Sequence, residues 1–388
     1  MKPKLATRMS RVPPYLFAAL DARRDAVAAR GVDIIDLGVG DPDLPTPRFL
    51  VQALTRAVRD PATHGYPPYA GTADLRAAVA DYYRRRFRVR LDPDREVVIL
   101  IGSKEGIAHL PLALVDRGDV VLVPDPGYPV YAIWTRFCGG RVHWLPLRAE
   151  NGFFPDFDRV PRDVARRSKL VWLCYPNNPT AALASRTQFA RAVAFGRRHG
   201  VVVANDNPYA EVYLGRQRPV SLLSVPGARD VAIEFGSLSK TFNMCGWRIG
   251  WAVGNPKVIE ALKTVKSNTD SGAFTALQRV AEAALRSDFS SAEKQRTIYR
   301  KRRDVVVAGL RQAGLQVRAP GATFYVWCPV PAGQTSEAFA TRVLEQTGVV
   351  ITPGNGFGPA GEGYFRVALT RPERRLKQAV RRIVSAGV

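Results

Sequence analysis

Between residues 96 and 254 the chain alternates short, wholly apolar runs with amphipathic stretches, a pattern that few architectures accept. The runs are Val97–Ile101, Val120–Val123, Val142–Leu145, Leu170–Cys174, Val201–Ala204, Val231–Phe235 and Trp251–Val253. Between them, stretches such as Ile107–Val115 and Phe189–His199 repeat apolar residues at helical spacing. Strands that are apolar on both faces, joined by helical crossovers, predict an α/β fold with a mostly parallel, seven-stranded sheet covered by helices.

The flanks read differently. Residues 1–45 form an entry segment: Val12-Pro-Pro-Tyr-Leu-Phe17 leads into a helix ending near Arg30, and Asp33–Leu37 reads as a short strand. Beyond 255, helical patterns run to about 313. Strand-like runs at Thr323–Val330, Val349–Thr352 and Tyr364–Leu369 then alternate with helices near 335–347 and 371–385. This predicts a small α+β unit to which the N-terminal segment returns. The expected division is 1–45 packing with the small unit, 46–285 as the large domain and 286–388 as the small domain.

Sheets of this kind bind ligands outside the carboxyl ends of their strands, and the loops there are chemically loaded. Gly102-Ser103-Lys104 opens a helix whose first N–H groups favour a phosphate. Tyr128 stands in the loop Pro124-Asp-Pro-Gly-Tyr-Pro129, Asn177-Asn178 follow Leu170–Cys174, and Asp206 and Tyr209 lie three apart after Val201–Ala204. After Val231–Phe235 comes Ser237-Leu-Ser-Lys-Thr-Phe-Asn-Met-Cys-Gly-Trp-Arg-Ile-Gly250. Here Lys240 is the candidate nucleophile, with Arg248 placed to lower its pKa, while Ser237, Ser239 and Arg248 offer two hydroxyls and a planar cation to a phosphate.

One reactive amine beside one phosphate cup points to pyridoxal 5′-phosphate, with Lys240 as its Schiff-base lysine. A carboxylate at Asp206 keeps the pyridine nitrogen protonated, Tyr209 and Asn178 suit the phenolic oxygen, and Tyr128 suits stacking on the ring. Each residue also has a structural reading: Asp206 as a strand end, Asn177-Asn178-Pro179 as a turn. Their concentration in one set of strand-end loops favours the cofactor site.

Composition narrows the class. Among 388 residues, 57 are Lys or Arg and 34 Asp or Glu, a net charge of +23 that attracts anionic partners. The excess is arginine spread over helical faces, without an aromatic-interleaved patch or a helix-turn-helix. A solvated basic surface is expected rather than nucleic-acid binding. Four cysteines (Cys138, Cys174, Cys245, Cys328) and four histidines lie scattered without metal-ligand spacing, so no metal is expected. Neither an eighteen-residue apolar run nor a secretory leader is visible, and a cytoplasmic protein is expected.

Tyr175-Pro-Asn-Asn-Pro-Thr180, Asp206-Asn-Pro-Tyr209, the Lys240 stretch and Phe365-Arg366-Val-Ala-Leu369 resemble the fold-type I, class I/II aminotransferases, along almost the whole chain. Gly40-Asp-Pro-Asp-Leu-Pro-Thr-Pro47, Tyr69-Ala-Gly-Thr-Ala-Asp-Leu-Arg76, Ile101–Ala113, Asp119–Tyr131 and Ser267-Asn-Thr-Asp-Ser-Gly-Ala-Phe274 resemble the bacterial LL-diaminopimelate branch of that family. The resemblance implies ping-pong transamination between an L-amino acid and a 2-oxo acid, in lysine biosynthesis. Lys240 would carry the cofactor and shuttle the Cα proton, and Asp206 would pair with the pyridine nitrogen. Gly102, Ser103, Lys104, Ser237, Ser239 and Arg248 would hold the phosphate, joined by Tyr66 of the partner subunit, which implies a homodimer with shared active sites. Arg366 would clamp the substrate α-carboxylate, assisted by Asn178 and the backbone of Gly40. For the distal end of a long diamino dicarboxylate the candidates are Tyr15, Lys104, Glu105 and Asn268. Lys104 and Glu105 also read as first-turn residues, and Asn268 as a helix C-cap.

Three other readings compete: a broad aspartate, alanine or aromatic aminotransferase, a pyridoxal-dependent C–S β-lyase, and a pyridoxal-sensing nucleic-acid-binding regulator. Asn205 before Asp206 departs from the His-Asp lead-in associated with many branch members, and a shifted substrate range would be its functional meaning.

Overall fold

The computed structural model describes residues 3–11 and 17–387. Its strands are β1 (Ile35–Asp36), β2 (Val97–Leu100), β3 (Val120–Asp125), β4 (Arg141–Pro146), β5 (Ser168–Cys174), β6 (Val202–Asp206), β7 (Ala232–Ser237), β8 (Gly250–Gly254), β9 (Tyr325–Pro329), β10 (Val349–Val350), β11 (Thr352–Pro353) and β12 (Tyr364–Ala368). The seven apolar runs of the central region each fall within two residues of β2 to β8 at either end.

Those seven strands form one sheet in the order β2-β8-β7-β6-β5-β3-β4. Neighbours run parallel except at β8, which is antiparallel to both β2 and β7. Successive side chains alternate between two buried faces. Leu170, Trp172 and Cys174 pack with Leu110, Tyr131 and Ile259 on one side, and Val171 and Leu173 with Tyr83 and Phe189 on the other. Burial on both faces is why the strands read as continuous apolar runs. Pairing places Cys174, Asp206 and Phe235 abreast, so the loops after β5 and β6 open at one level and that after β7 two residues further on.

The same alternation turns Asn205 away from its neighbour Asp206. Asn205 is wholly buried, donates to Glu234 Oε2 at 2.9 Å and accepts the Tyr175 N–H at 3.1 Å. Burial pushes the Glu234 carboxyl up, and its donors Asn205, Leu222 N–H, Ser221 and Tyr83 draw it back. The residue that departs from the branch pattern thus joins adjacent strands from within the core.

Beyond the large sheet, β11-β12-β9 form a three-stranded antiparallel sheet, and β1 pairs in parallel with β10 through Ile35 and Val349. Ile35 and Leu37 share a core with Tyr299, Phe324, Phe339 and Phe365, so the N-terminal strand packs with C-terminal elements. The helix Ser290–Gln312 runs beside both regions. Its Arg302 holds Asp43 through two bonds of 2.6 and 2.8 Å and donates to the Leu369 carbonyl. A planar fork on a carboxylate fixes position as well as charge, and it anchors the loop that carries Gly40.

Candidate active site

A cavity of 690 Å³ opens where the carboxyl ends of β3, β5, β6 and β7 face the C-terminal unit. Gly40, Ser103, Lys104, Tyr128, Asn178, Asp206, Tyr209, Ser237, Ser239, Lys240, Arg248 and Arg366 all line it. Twelve of the expected site residues, drawn from positions 40 to 366, therefore meet in one place.

Lys240 sits in the loop between β7 and β8 with its Nζ 3.3 Å from the Gly40 carbonyl and 3.3 Å from Cys245 Sγ. Its backbone carbonyl accepts a 2.8 Å bond from Gln295 of the long helix. Burial pushes the Cys245 thiol up, and the neighbouring Lys240 ammonium opposes the shift. A Cβ at Gly40 would lie 2.0 Å from the Tyr325 hydroxyl, so a larger residue there would have to displace that ring.

Asp206 ends β6 with its two oxygens in unlike situations. Oδ2 accepts a 2.8 Å bond from the Tyr131 hydroxyl, whereas Oδ1 is buried and accepts none among the described residues. Desolvation pushes the carboxyl up to about 7, against the pull of Tyr131 and of the Lys240 charge. A buried acceptor without a donor is costly, and a cation or N–H placed against Oδ1 would satisfy it and restore the ionised form. Tyr131 is itself fixed by stacking on Trp172, with centroids 4.8 Å apart and planes at 13°.

Beside these groups lies an anion cradle. The helix Ser103–Leu114 begins after Gly102, whose φ of +74° suits glycine. A Cβ at Gly102 would stand 2.2 Å from Arg248 Nη2, so its absence lets the guanidinium close on the helix N-terminus. Ser237 Oγ accepts the Ser239 N–H at 3.1 Å. Free helical N–H groups, two hydroxyls and an arginine form a set suited to a phosphate dianion, and the carboxylate, amine and cradle together fit pyridoxal phosphate.

On the C-terminal side, Arg366 of β12 donates to Asn178 Oδ1 at 2.8 Å and to the Gly38 carbonyl at 2.6 Å, between the rings of Tyr325 and Phe357 at 4.2 and 4.6 Å. Tyr209 shares a 3.1 Å hydrogen bond with Tyr325, and burial raises its phenol well above the usual range. Tyr128 lies edge-on to Tyr131 at 5.7 Å.

Other expected residues stand elsewhere. Tyr66 is 92% exposed and outside its own chain's cavity. Glu105 faces away from the cavity, where it accepts the Ile101 N–H at 2.6 Å and the wholly buried Lys266 ammonium at 3.1 Å. Asn268 caps the helix Pro256–Ser267, donating to the Thr264 carbonyl at 2.8 Å. Tyr15 lies outside the described residues. Glu105, His109 and Asp270 bring ligand-capable atoms within 4.8 Å of one another, but Lys266 already bridges Glu105 and Asp270, the latter at 2.7 Å.

Sequence reasoning passed over Tyr131, Tyr325, Cys245 and Gln295. Tyr131 and Tyr325 sit inside apolar runs where an aromatic reads as core. Gln295 carries no local signal, because its partner lies 55 residues away.

The family described as aminotransferase class I and II matches residues 32–383. The LL-diaminopimelate aminotransferase of Nitratidesulfovibrio vulgaris (strain DP4) is 54% identical over 98% of each chain, and that of Aquifex aeolicus (strain VF5) is 50% identical over 98% of each. Among solved structures, substrate-bound BacF from Bacillus subtilis superimposes with a TM-score of 0.94 at 36% identity, covering 99% of this chain and 98% of its own.

Proposed function

The chain belongs to the aminotransferase class I and II family and is a transaminase, and we propose that it uses pyridoxal 5′-phosphate to move an amino group between LL-diaminopimelate and a 2-oxo acid such as 2-oxoglutarate. The observation that carries the cofactor reading is the unsatisfied Asp206 Oδ1 in a cavity shared with Lys240 and the anion cradle. Near full-length identity to LL-diaminopimelate aminotransferases supports the substrate.

Each role follows from chemistry at a named atom. Bound pyridoxal phosphate supplies a conjugated ring that accepts the electron pair left when the Cα–H bond breaks. Asp206 Oδ1 holds a proton and positive charge at the ring nitrogen, which Tyr131 assists by fixing Oδ2. Ser103, Ser237, Ser239, Arg248 and the N–H groups after Gly102 bind the phosphate, with Lys104 at the same helix start. Asn178 and Tyr209 serve the phenolic oxygen, and Tyr128 covers the ring. Arg366 receives the substrate α-carboxylate with its orientation set by Asn178 and Gly38. Lys240 Nζ would bind the cofactor and would serve as the base that takes and returns the substrate Cα proton. Gly40 and Tyr325 close this side against water.

The same proposal includes a homodimer in which Tyr66 reaches the partner's cavity, in keeping with its exposure beside the exposed Tyr69 and Phe274. It keeps 46–285 as the cofactor-holding domain. It also includes a cytoplasmic location, in keeping with four unpaired thiols; no described helix is long and apolar enough to cross a membrane.

A half-reaction screen tests the reading. Holoenzyme mixed with single amino acids, followed by cofactor absorbance, should convert fast with LL-diaminopimelate and glutamate. Conversion by aspartate, alanine or aromatic donors alone would remove the substrate assignment. Steady pyruvate release from cystathionine without conversion would replace transamination by C–S cleavage.

A further inference from the structure

The geometry points to Arg136 as the group that receives the distal carboxylate of a dicarboxylic substrate, an inference that rests on the transaminase reading above. Arg136 lies near the end of the helix Val130–Phe137, and with Trp144 of β4 it lines the active-site cavity. Its guanidinium lies over the Trp144 ring, 6.0 Å from the centroid, and forms no hydrogen bond or ion pair among the described residues. That is unusual here. Arg86 and Arg296 meet Glu211, Arg302 meets Asp43, and Arg366 meets Asn178 and Gly38. A half-buried guanidinium at the outer range of a cation–π contact is stripped of part of its water, yet keeps its fork of donors open. Such a fork matches a carboxylate.

Placement agrees with that role. The helix starts two residues after Tyr128, and Arg136 stands about 9 Å along its axis from Val130 at 1.5 Å per residue. Arg366 enters the same cavity from β12. Besides Arg248 of the anion cradle, the cavity thus carries two guanidiniums on separate elements, as a molecule with a carboxylate at each end requires. Asp21 also lines the cavity, with one oxygen taking a 2.7 Å bond from Arg24. A substrate whose far end bears both an ammonium and a carboxylate therefore meets opposite charge for each. Lys104 is the rival cation on the wall, but it is exposed and has no aromatic to fix it.

Calorimetry on the holoenzyme with pimelate and hexanoate, acids that share an alkyl chain type but differ in the second carboxylate, isolates this contact. The wild-type protein should prefer pimelate by roughly ten- to hundredfold, the worth of a charge-assisted bond. In Arg136→Met that ratio should collapse toward one. In Arg136→Lys, where charge stays but the fork is lost, it should fall between. An undiminished ratio in Arg136→Met, or a collapse in Lys104→Met in its place, would overturn the assignment. Failure of the wild-type enzyme to convert LL-diaminopimelate would sink the proposed substrate while leaving this ratio to stand or fall by itself.

Discussion

Asp206 gives Oδ2 to Tyr131 and leaves Oδ1 without a donor inside a buried site, so a neutral amide at this position keeps the size and loses the charge. Asp206→Asn should lower the single-turnover rate with LL-diaminopimelate by roughly a hundredfold or more, the scale of a lost proton-holding group, with cofactor still bound through the cradle. Stopped-flow absorbance reads both quantities, and an unchanged rate would take Asp206 out of the chemistry. This residue was legible in the sequence because it shares one set of strand-end loops with Asn178, Tyr209 and Lys240; alone it reads equally well as a strand end. Tyr325 was not. Its hydroxyl meets Tyr209 across 116 residues, and nothing in the run Thr323–Val330 separates a site tyrosine from a core one. Glu105 misled for the opposite reason: a carboxylate in the first turn beside the phosphate cup looks solvent-facing until Lys266, 161 residues on, is seen beneath it.

Between elements, Lys266 couples the helix Pro256–Ser267 to the turn that opens the helix Ser103–Leu114, since Glu105 takes both its ammonium and the Ile101 N–H. Lys266→Met leaves two half-buried carboxylates without their cation and should cost about 3 kcal/mol of stability, the low end for a broken buried pair. It should also weaken cofactor binding roughly tenfold by loosening the cradle. Urea unfolding and cofactor titration measure the two effects, and unaltered cofactor affinity would confine the network to stability. At the end of β3, Asp125 accepts the Ala360 N–H at 3.0 Å and the Gly127 N–H reaches the Phe357 carbonyl at 2.8 Å, so this loop ties the sheet to the C-terminal unit. Burial raises the Asp125 carboxyl from 3.8 to about 6. Between those values the folded chain binds a proton that the unfolded chain has released, so the contribution is full at low pH and fades as pH rises through 6. Asp125→Asn keeps the acceptor and should gain stability relative to the wild type at about pH 7.5 compared with about pH 5, as unfolding curves at both values would show. An identical pH dependence in both proteins would place the titration elsewhere. At this scale the seven strands were readable from apolar runs, whereas the antiparallel course of β8 was not. A run of four or five residues carries no direction, and only the loop that turns it back decides.

For the whole molecule, the proposed sharing of Tyr66 makes a mixing experiment decisive. Lys240→Ala and Tyr66→Ala, each inactive or weak alone, should together recover about a quarter of wild-type activity after subunit exchange, because half the random dimers hold one intact site. No recovery would assign Tyr66 to its own subunit or remove it from the site. The architecture was legible at this scale because its strands are buried on both faces. The pairing of β1 with β10 rested on a weaker signal, a two-residue strand.

Lys240 is steadied by Gly40, 200 residues before it, and by Gln295, 55 after it, while Arg366 closes on Gly38 across 328 residues. For a chain emerging from the ribosome, Gly40 precedes the lysine and Gln295 follows it by 55 residues, so the lysine is made with half of its support still to come. Residues 1 to 295 carry the large sheet, Lys240 and both of its partners, whereas Arg366 reaches Gly38 only once β12 has left the exit tunnel. Synthesis halted short of that point yields a fragment with the lysine and the anion cradle but without the guanidinium that receives the substrate carboxylate, so turnover, rather than cofactor capture, waits for β12.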